Sequence, residues 1–131
     1  MSLNKSIYFY WGNETMSYMR YMTLYSFCLF NPDWKVYLIK NNIISNRLPQ
    51  WLTPERPDKG SYTGPDYSNL VNNLNIEIIE FQSSMIDLEE HVVNRMSDVH
   101  IKDILNWKIL SEQGGIVSDM DILFTSLLVI I

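Results

Sequence analysis

The chain has 131 residues, enough for a single domain (1–131) with a real core. Fifteen Asp or Glu against ten Lys or Arg give a net charge of −5 with no basic block, which sets aside nucleic-acid binding through phosphate neutralisation. Eight Tyr, five Phe and four Trp favour an ordered fold with binding surfaces over disorder, and the single Cys28 excludes an intrachain disulfide and a cysteine-based zinc site.

The first run, Ile7-Tyr8-Phe9-Tyr10-Trp11, is β-branched and aromatic and closes on Gly12-Asn13, which predicts a buried strand and a turn. Trp11 at its exit either stacks on a flat base or caps the core. From Glu14 to Phe30, Met16, Met19, Leu24, Phe27 and Cys28 recur at three- and four-residue steps. This predicts a helix capped by Asn13 or Thr15 and ended by Asn31-Pro32. Trp34 to Ile39 follows as a second strand, so the first forty residues form a βαβ unit with parallel pairing and a right-handed crossover. Residues 41–67 are rich in Pro and Gly and predict a long loop, either a lid over a crevice or an insertion. Tyr67 to Leu74 reads as a short helix and Ile76 to Phe81 as a strand near the sheet edge, interrupted by Glu77 and Glu80. Ser83 to Met96 reads as helical in parts.

Ser97-Asp98 opens a helix that runs to Gln113 and stops at Gly114. Ile101, Ile104, Leu105 and Ile109 supply its apolar side; Asp103 and Asn106, three apart, share a polar face. Gly114-Gly115 then release the backbone into Ile116-Val117, the start of a buried strand, and Asp119-Met120-Asp121 sit where that strand ends. Open α/β sheets place ligands at such ends. Carboxylates at i and i+2 of extended backbone point the same way, and together they suit one hard divalent cation holding a diphosphate. The alternative is a pair of loop-initiating Asp residues. The final run, Leu127 to Ile131, is apolar and is expected to fold back into the sheet, to pair with a second copy, or to mark a truncation. No apolar run is long enough to span a membrane, and Ser6 to Trp11 is too short for a signal core, so a cytoplasmic location is expected.

Asp103-Ile104-Leu105 followed by Gly114-Gly115-Ile116-Val117-Ser118-Asp119-Met120-Asp121 resembles the sugar-binding DXD region of GT-A glycosyltransferases. The pattern is similar to the family that includes the yeast initiating mannosyltransferase and the glucosyltransferase domains of the large clostridial toxins. Those proteins carry Asp-x-x-Arg on a helix, a Gly-Gly pair, a short strand and Asp-x-Asp. Tyr10-Trp11-Gly12-Asn13 also resembles the family's first strand, whose exit meets the nucleotide base. The resemblance implies an α/β, Rossmann-like nucleotide-sugar-binding domain with a mostly parallel sheet flanked by helices. It implies that Tyr10, Trp11 and Gly12 border the base and that Asp103 and Asn106 meet the ribose or donor sugar. It further implies that Asp119 contacts the ribose or the metal shell, and that Asp121 binds Mn²⁺ or Mg²⁺ at the diphosphate. Asp103, Asn106 and Asp121 would be the catalytic set. The donor would be a nucleotide sugar such as UDP-glucose, transferred with retention to an unknown acceptor.

Two departures bear on this. Asn106 stands where the family has Arg, and an amide hydrogen-bonds without offsetting negative charge; Lys102 and Lys108 are the nearby cations, though neither is at the matching position. The chain also ends ten residues after Asp121, where full members continue into an acceptor site, so it is expected to form the donor-binding half and little else. A donor-binding module with weak hydrolysis and no efficient transfer is therefore the second reading. Haloacid-dehalogenase-type phosphatases place Asp-x-Asp after the first strand. Polymerase-β-like nucleotidyltransferases separate it from the Gly pair by a longer, helical gap. Neither fits the spacing here.

Overall fold

The computed structural model describes residues 4–42 and 62–128. Its centre is β1 (Ser6–Trp11), whose six residues are all buried. Alternation along a strand sends Ile7, Phe9 and Trp11 to one face of the sheet and Tyr8 and Tyr10 to the other. A strand apolar on both faces needs cover on both, the arrangement of parallel α/β sheets. Helix α1 (Tyr18–Phe30) supplies one cover, joining Leu24 and Phe27 to Ile7, Phe9 and Trp11. The other comes from the later helices, whose Val93, Ile101, Leu105 and Ile109 meet Tyr8 and Tyr10.

Three further strands complete the sheet: β2 (Lys35–Lys40), β3 (Glu77–Glu80) and β4 (Ile116–Ser118), in the order β3-β2-β1-β4 with every pairing parallel. Tyr8 lies opposite Tyr37 in register, and the two rings stack with centroids 4.8 Å apart. β3 is an edge strand, as its two glutamates suggest. β4 is the opposite edge of the described sheet. Its residues are half-buried, not fully buried as the apolar pair Ile116-Val117 led us to expect, because only one side meets a neighbouring strand.

Helix α1 begins later than its apolar pattern suggests. The Ser17 hydroxyl, not Asn13 or Thr15, caps it by accepting from the Arg20 amide. The physical reason lies just upstream. The Met16 amide donates to the Asp66 carboxylate, the Met16 carbonyl accepts from the Tyr67 amide, and the Met16 side chain is fully buried. Those bonds hold the backbone before Ser17 in a non-helical path. Asp66 also accepts from Ser68 N, and the amides, that of Met16 first, hold its carboxyl below the ordinary range. The 41–67 loop is thus described only at its two ends; residues 43–61 lie outside the described residues, as do 129–131 of the apolar terminus.

Between β3 and β4 the chain makes a 3-10 turn (Ser83–Ile86), a one-turn helix α2 (Glu90–Val93) and the long helix α3 (Asp98–Glu112), which Ser97 caps through the His100 amide. Another 3-10 turn (Ser68–Asn73) takes the place of the short helix expected before β3. Gly114 and Gly115 then turn the chain into β4 with φ of +71° and +91°. They differ in their surroundings: a Cβ on Gly114 meets nothing within 4 Å, whereas one on Gly115 would lie 2.7 Å from the Ser6 carbonyl oxygen. Gly114→Ala is expected to cost about 1–2 kcal/mol through backbone strain alone. Gly115→Ala is expected to cost about 3 kcal/mol or more because β1 must also move. Urea unfolding of the two variants checks this, and equal losses would show that contact with Ser6 is not what demands glycine.

Burial pushes the Cys28 thiol from the ordinary 9.0 up to about 11. The unfolded chain therefore loses this proton first, so the contribution of Cys28 to stability is complete below about pH 9 and is lost as pH rises through 11. Thiol labelling at pH 8 is expected to be slow in the folded protein and fast in urea; equal rates would contradict the burial of this side chain.

Candidate functional site

The strand order reverses at β1: the chain proceeds outward to β2 and β3, then returns to place β4 on the other side. In sheets of this kind the loops leaving the carboxyl ends of the two strands that flank the reversal diverge and leave a crevice. Here those loops are Gly12-Asn13 after β1 and Asp119-Met120-Asp121 after β4. Two of the sequence-predicted groups therefore meet at one end of the sheet although they lie more than a hundred positions apart in the chain.

On the β4 side, Met120 is buried in the same cluster as Trp11, Leu24 and Phe27, while Asp119 and Asp121 on either side of it are exposed. The apolar residue is thus an anchor, and both carboxylates face solvent. Helix α1 secures the segment from beneath. The buried Thr23 hydroxyl donates to the Met120 carbonyl (2.9 Å) and accepts from the Ile122 amide (3.2 Å). Ser26 accepts from Phe124 N and Asn31 from Leu128 N, at 3.0 and 2.8 Å. These bonds lay 120–128 along α1 as an irregular strap; of the described part of the apolar terminus, Leu128 packs on the core, Leu127 is exposed, and neither joins the sheet.

On the β1 side, the Tyr10 hydroxyl donates to Asp98 Oδ1 at 2.7 Å and accepts from Asn41 Nδ2 at 3.1 Å. Asp98 fills the space above Gly12, where a Cβ would lie 2.7 Å from its Oδ2. This network ties the exits of β1 and β2 to the start of α3. Trp11 is 3% exposed, donates its indole N–H to the Glu14 carbonyl and has the Arg20 guanidinium 5.6 Å from its ring centroid. It caps the core, and one ring face is already covered by a cation.

The α3 residues divide. At 100° per residue, Asp103 lies well round the helix from the buried stripe Ile101, Leu105 and Ile109 and is exposed. With Asn106, Trp107, Leu110 and Ser111 it lines an open groove of about 560 Å³ on the outer side of α3. Asp119 and Asp121 are not among its walls, so the structure brings Asp103 and Asn106 together, and Asp119 and Asp121 together, but not the two pairs into one cavity. The link between helix and strand end is a residue outside the expected set: Lys102 Nζ lies 2.9 Å from Asp119 Oδ1. Lys108 points elsewhere, to Asp87 and Glu112. Sequence spacing offers Lys102 as a nearby cation but not its partner, which is seventeen residues away across the Gly-Gly turn.

No group of three or more His, Cys, Asp or Glu suited to a metal is present among the described residues. Among the described residues, a resident ion held entirely by protein does not fit this site. An ion arriving with a diphosphate does, since Mg²⁺-like ions commonly rest on one or two carboxylates plus substrate phosphates.

Comparison with known proteins adds a likeness of fold. No family model matches the chain, and no curated protein matches it. Among solved structures it is similar to one titled PaToxG Glycosyltransferase, with a TM-score of 0.63 and 23% sequence identity. The match covers 91% of this chain and 42% of that one, so the chain spans less than half of its neighbour's length. The fold is that of a known glycosyltransferase. The likeness lies in the parallel sheet and its flanking helices. No described helix is long and apolar enough to cross a membrane.

Tyr10→Phe removes the hydroxyl that joins Asp98 and Asn41 and is expected to lower stability by about 1–3 kcal/mol, from two lost hydrogen bonds in a largely buried network. Thermal unfolding would measure it; a neutral effect would mean that the β1 exit is held by packing alone.

Proposed function

We propose that this chain binds a nucleotide-diphosphate sugar at the carboxyl ends of β1 and β4 and acts as a glycosyltransferase. The observation that carries the reading is the pair of solvent-facing carboxylates, Asp119 and Asp121, at the topological switch point of a fold shared with a glycosyltransferase. The donor is taken to be a UDP-sugar such as UDP-glucose, with transfer by retention; both rest on the sequence resemblance. In this reading the β1 exit at the exposed Asn13 borders the base, with Tyr10, Trp11 and Gly12 buried beneath it, and a donor sugar that reaches Asp103 and Asn106 extends into the outer groove of α3. Asp121, with Asp119, would hold Mn²⁺ or Mg²⁺. That ion, when bound, would offset charge on the departing nucleoside diphosphate as the glycosidic bond breaks. The chain's own part is to place the diphosphate against the carboxylates and the first turns of α3.

Asn106 favours a second reading, a donor-binding module with weak donor hydrolysis and no efficient transfer. An amide in place of a guanidinium leaves less positive charge where the leaving group develops its own negative charge. Supplying candidate acceptors and looking for glycosylated product separates the two.

Asp121→Ala is expected to abolish metal-dependent UDP binding while leaving the unfolding transition in place, since Asp121 is exposed at its position beyond β4. Calorimetric titration of UDP, UDP-glucose and GDP-mannose with and without Mn²⁺ tests it. An unchanged affinity in the variant would remove Asp121 from the site.

A further inference from the structure

We infer that Lys102 is the diphosphate-binding cation of this chain and that Asp119 acts chiefly to hold it in place. The inference rests on the nucleotide-binding reading above and names the group that replaces the missing arginine.

Lys102 lies in the first half of α3 and is 28% exposed at its side chain, whereas Asp119 is 60% exposed. A half-exposed ion pair of this kind contributes little to stability, about 0–1 kcal/mol, so folding gives slight reason for it. A closer partner by sequence exists: Asp98 is one turn back on the same helix, at the i−4 position favourable for a Lys. Asp98 instead takes the Tyr10 hydroxyl and packs over Gly12, and Lys102 reaches across the β4 exit to Asp119. The ammonium is thereby fixed beside the first residue past β4, at the end of the sheet where the chain reverses. Asn106, one turn further along α3, lines the outer groove with Asp103 and Trp107, which leaves Lys102 as the helix residue in contact with the strand exit. Lys108 cannot share the task, since Asp87 and Glu112 engage it.

An ammonium held by one carboxylate oxygen keeps two N–H donors for phosphate oxygens. With one carboxylate engaged by Lys102, a divalent ion at this site would rest mainly on Asp121 and the phosphates. The consequence is a diphosphate affinity that survives, in part, without metal.

The test is titration of UDP and GDP, and of uridine and guanosine, into the 131-residue protein in EDTA and in Mn²⁺. In EDTA the wild type is expected to bind one diphosphate more tightly than its nucleoside. Lys102→Gln is expected to weaken that diphosphate about tenfold or more in EDTA while leaving the nucleoside unchanged. Lys102→Arg is expected to restore most of the affinity. Asp119→Asn is expected to weaken diphosphate binding in EDTA as well as in Mn²⁺, because it releases the ammonium. The role of Lys102 is overturned by an unchanged diphosphate affinity in Lys102→Gln, or by an equal loss for diphosphate and nucleoside. A loss in Asp119→Asn confined to Mn²⁺ overturns the holding role of Asp119 and makes it a metal ligand. A wild type that binds no nucleotide in any condition removes the nucleotide reading itself, and Lys102's role with it. Loss of binding in Asp121→Ala but not in Lys102→Gln leaves that reading standing and removes only this inference.

Discussion

The burial of β1 on both faces is the constraint from which the remaining structure follows. Six consecutive residues without a solvent-facing side chain leave no choice but helices above and below, and a parallel sheet is the economical way to supply them. Once α1 covers one face and α3 the other, β4 must enter beside β1 on the side away from β2. The chain reversal at β1 is thus a by-product of covering an apolar strand.

The two covers do different work beyond burial. α1 and its C-cap carry Thr23, Ser26 and Asn31 along the side that meets the post-β4 segment; Thr23 donates to that segment's backbone, and Ser26 and Asn31 accept from it. Such bonds satisfy backbone groups that have neither helix nor sheet to pair with. α3 carries charge: Lys102 to the strand exit, Lys108 to the opposite flank. One helix shapes the segment and the other sets its local field.

Much of the fold was legible from residue pattern. The β-branched and aromatic run at 7–11, the helix from Ser97 to Gly114 and the edge character of β3 follow from burial periodicity, capping chemistry and two glutamates. The start of α1 was not legible, because it depends on Asp66 seizing the Met16 amide from fifty residues away. The burial of β4 was overstated because an apolar dipeptide does not tell whether a strand has one neighbour or two. At the candidate site the positions of Asp119 and Asp121 could be read from Gly-Gly and alternation. The pairing of Lys102 with Asp119 and the Tyr10–Asp98–Asn41 network could not, since each joins residues that only the fold brings together.

Met120 sits between two exposed carboxylates and is itself sealed into the core with Trp11 and Phe27. That placement bears on the entropy of recognition. A loop free to wander must be ordered by its ligand, and the ordering is subtracted from affinity. Here the segment is already fixed when the core closes, by one apolar side chain and the Thr23 hydroxyl beneath it. The carboxylates are therefore preorganised by folding, and a cation meeting them would have few backbone motions left to freeze.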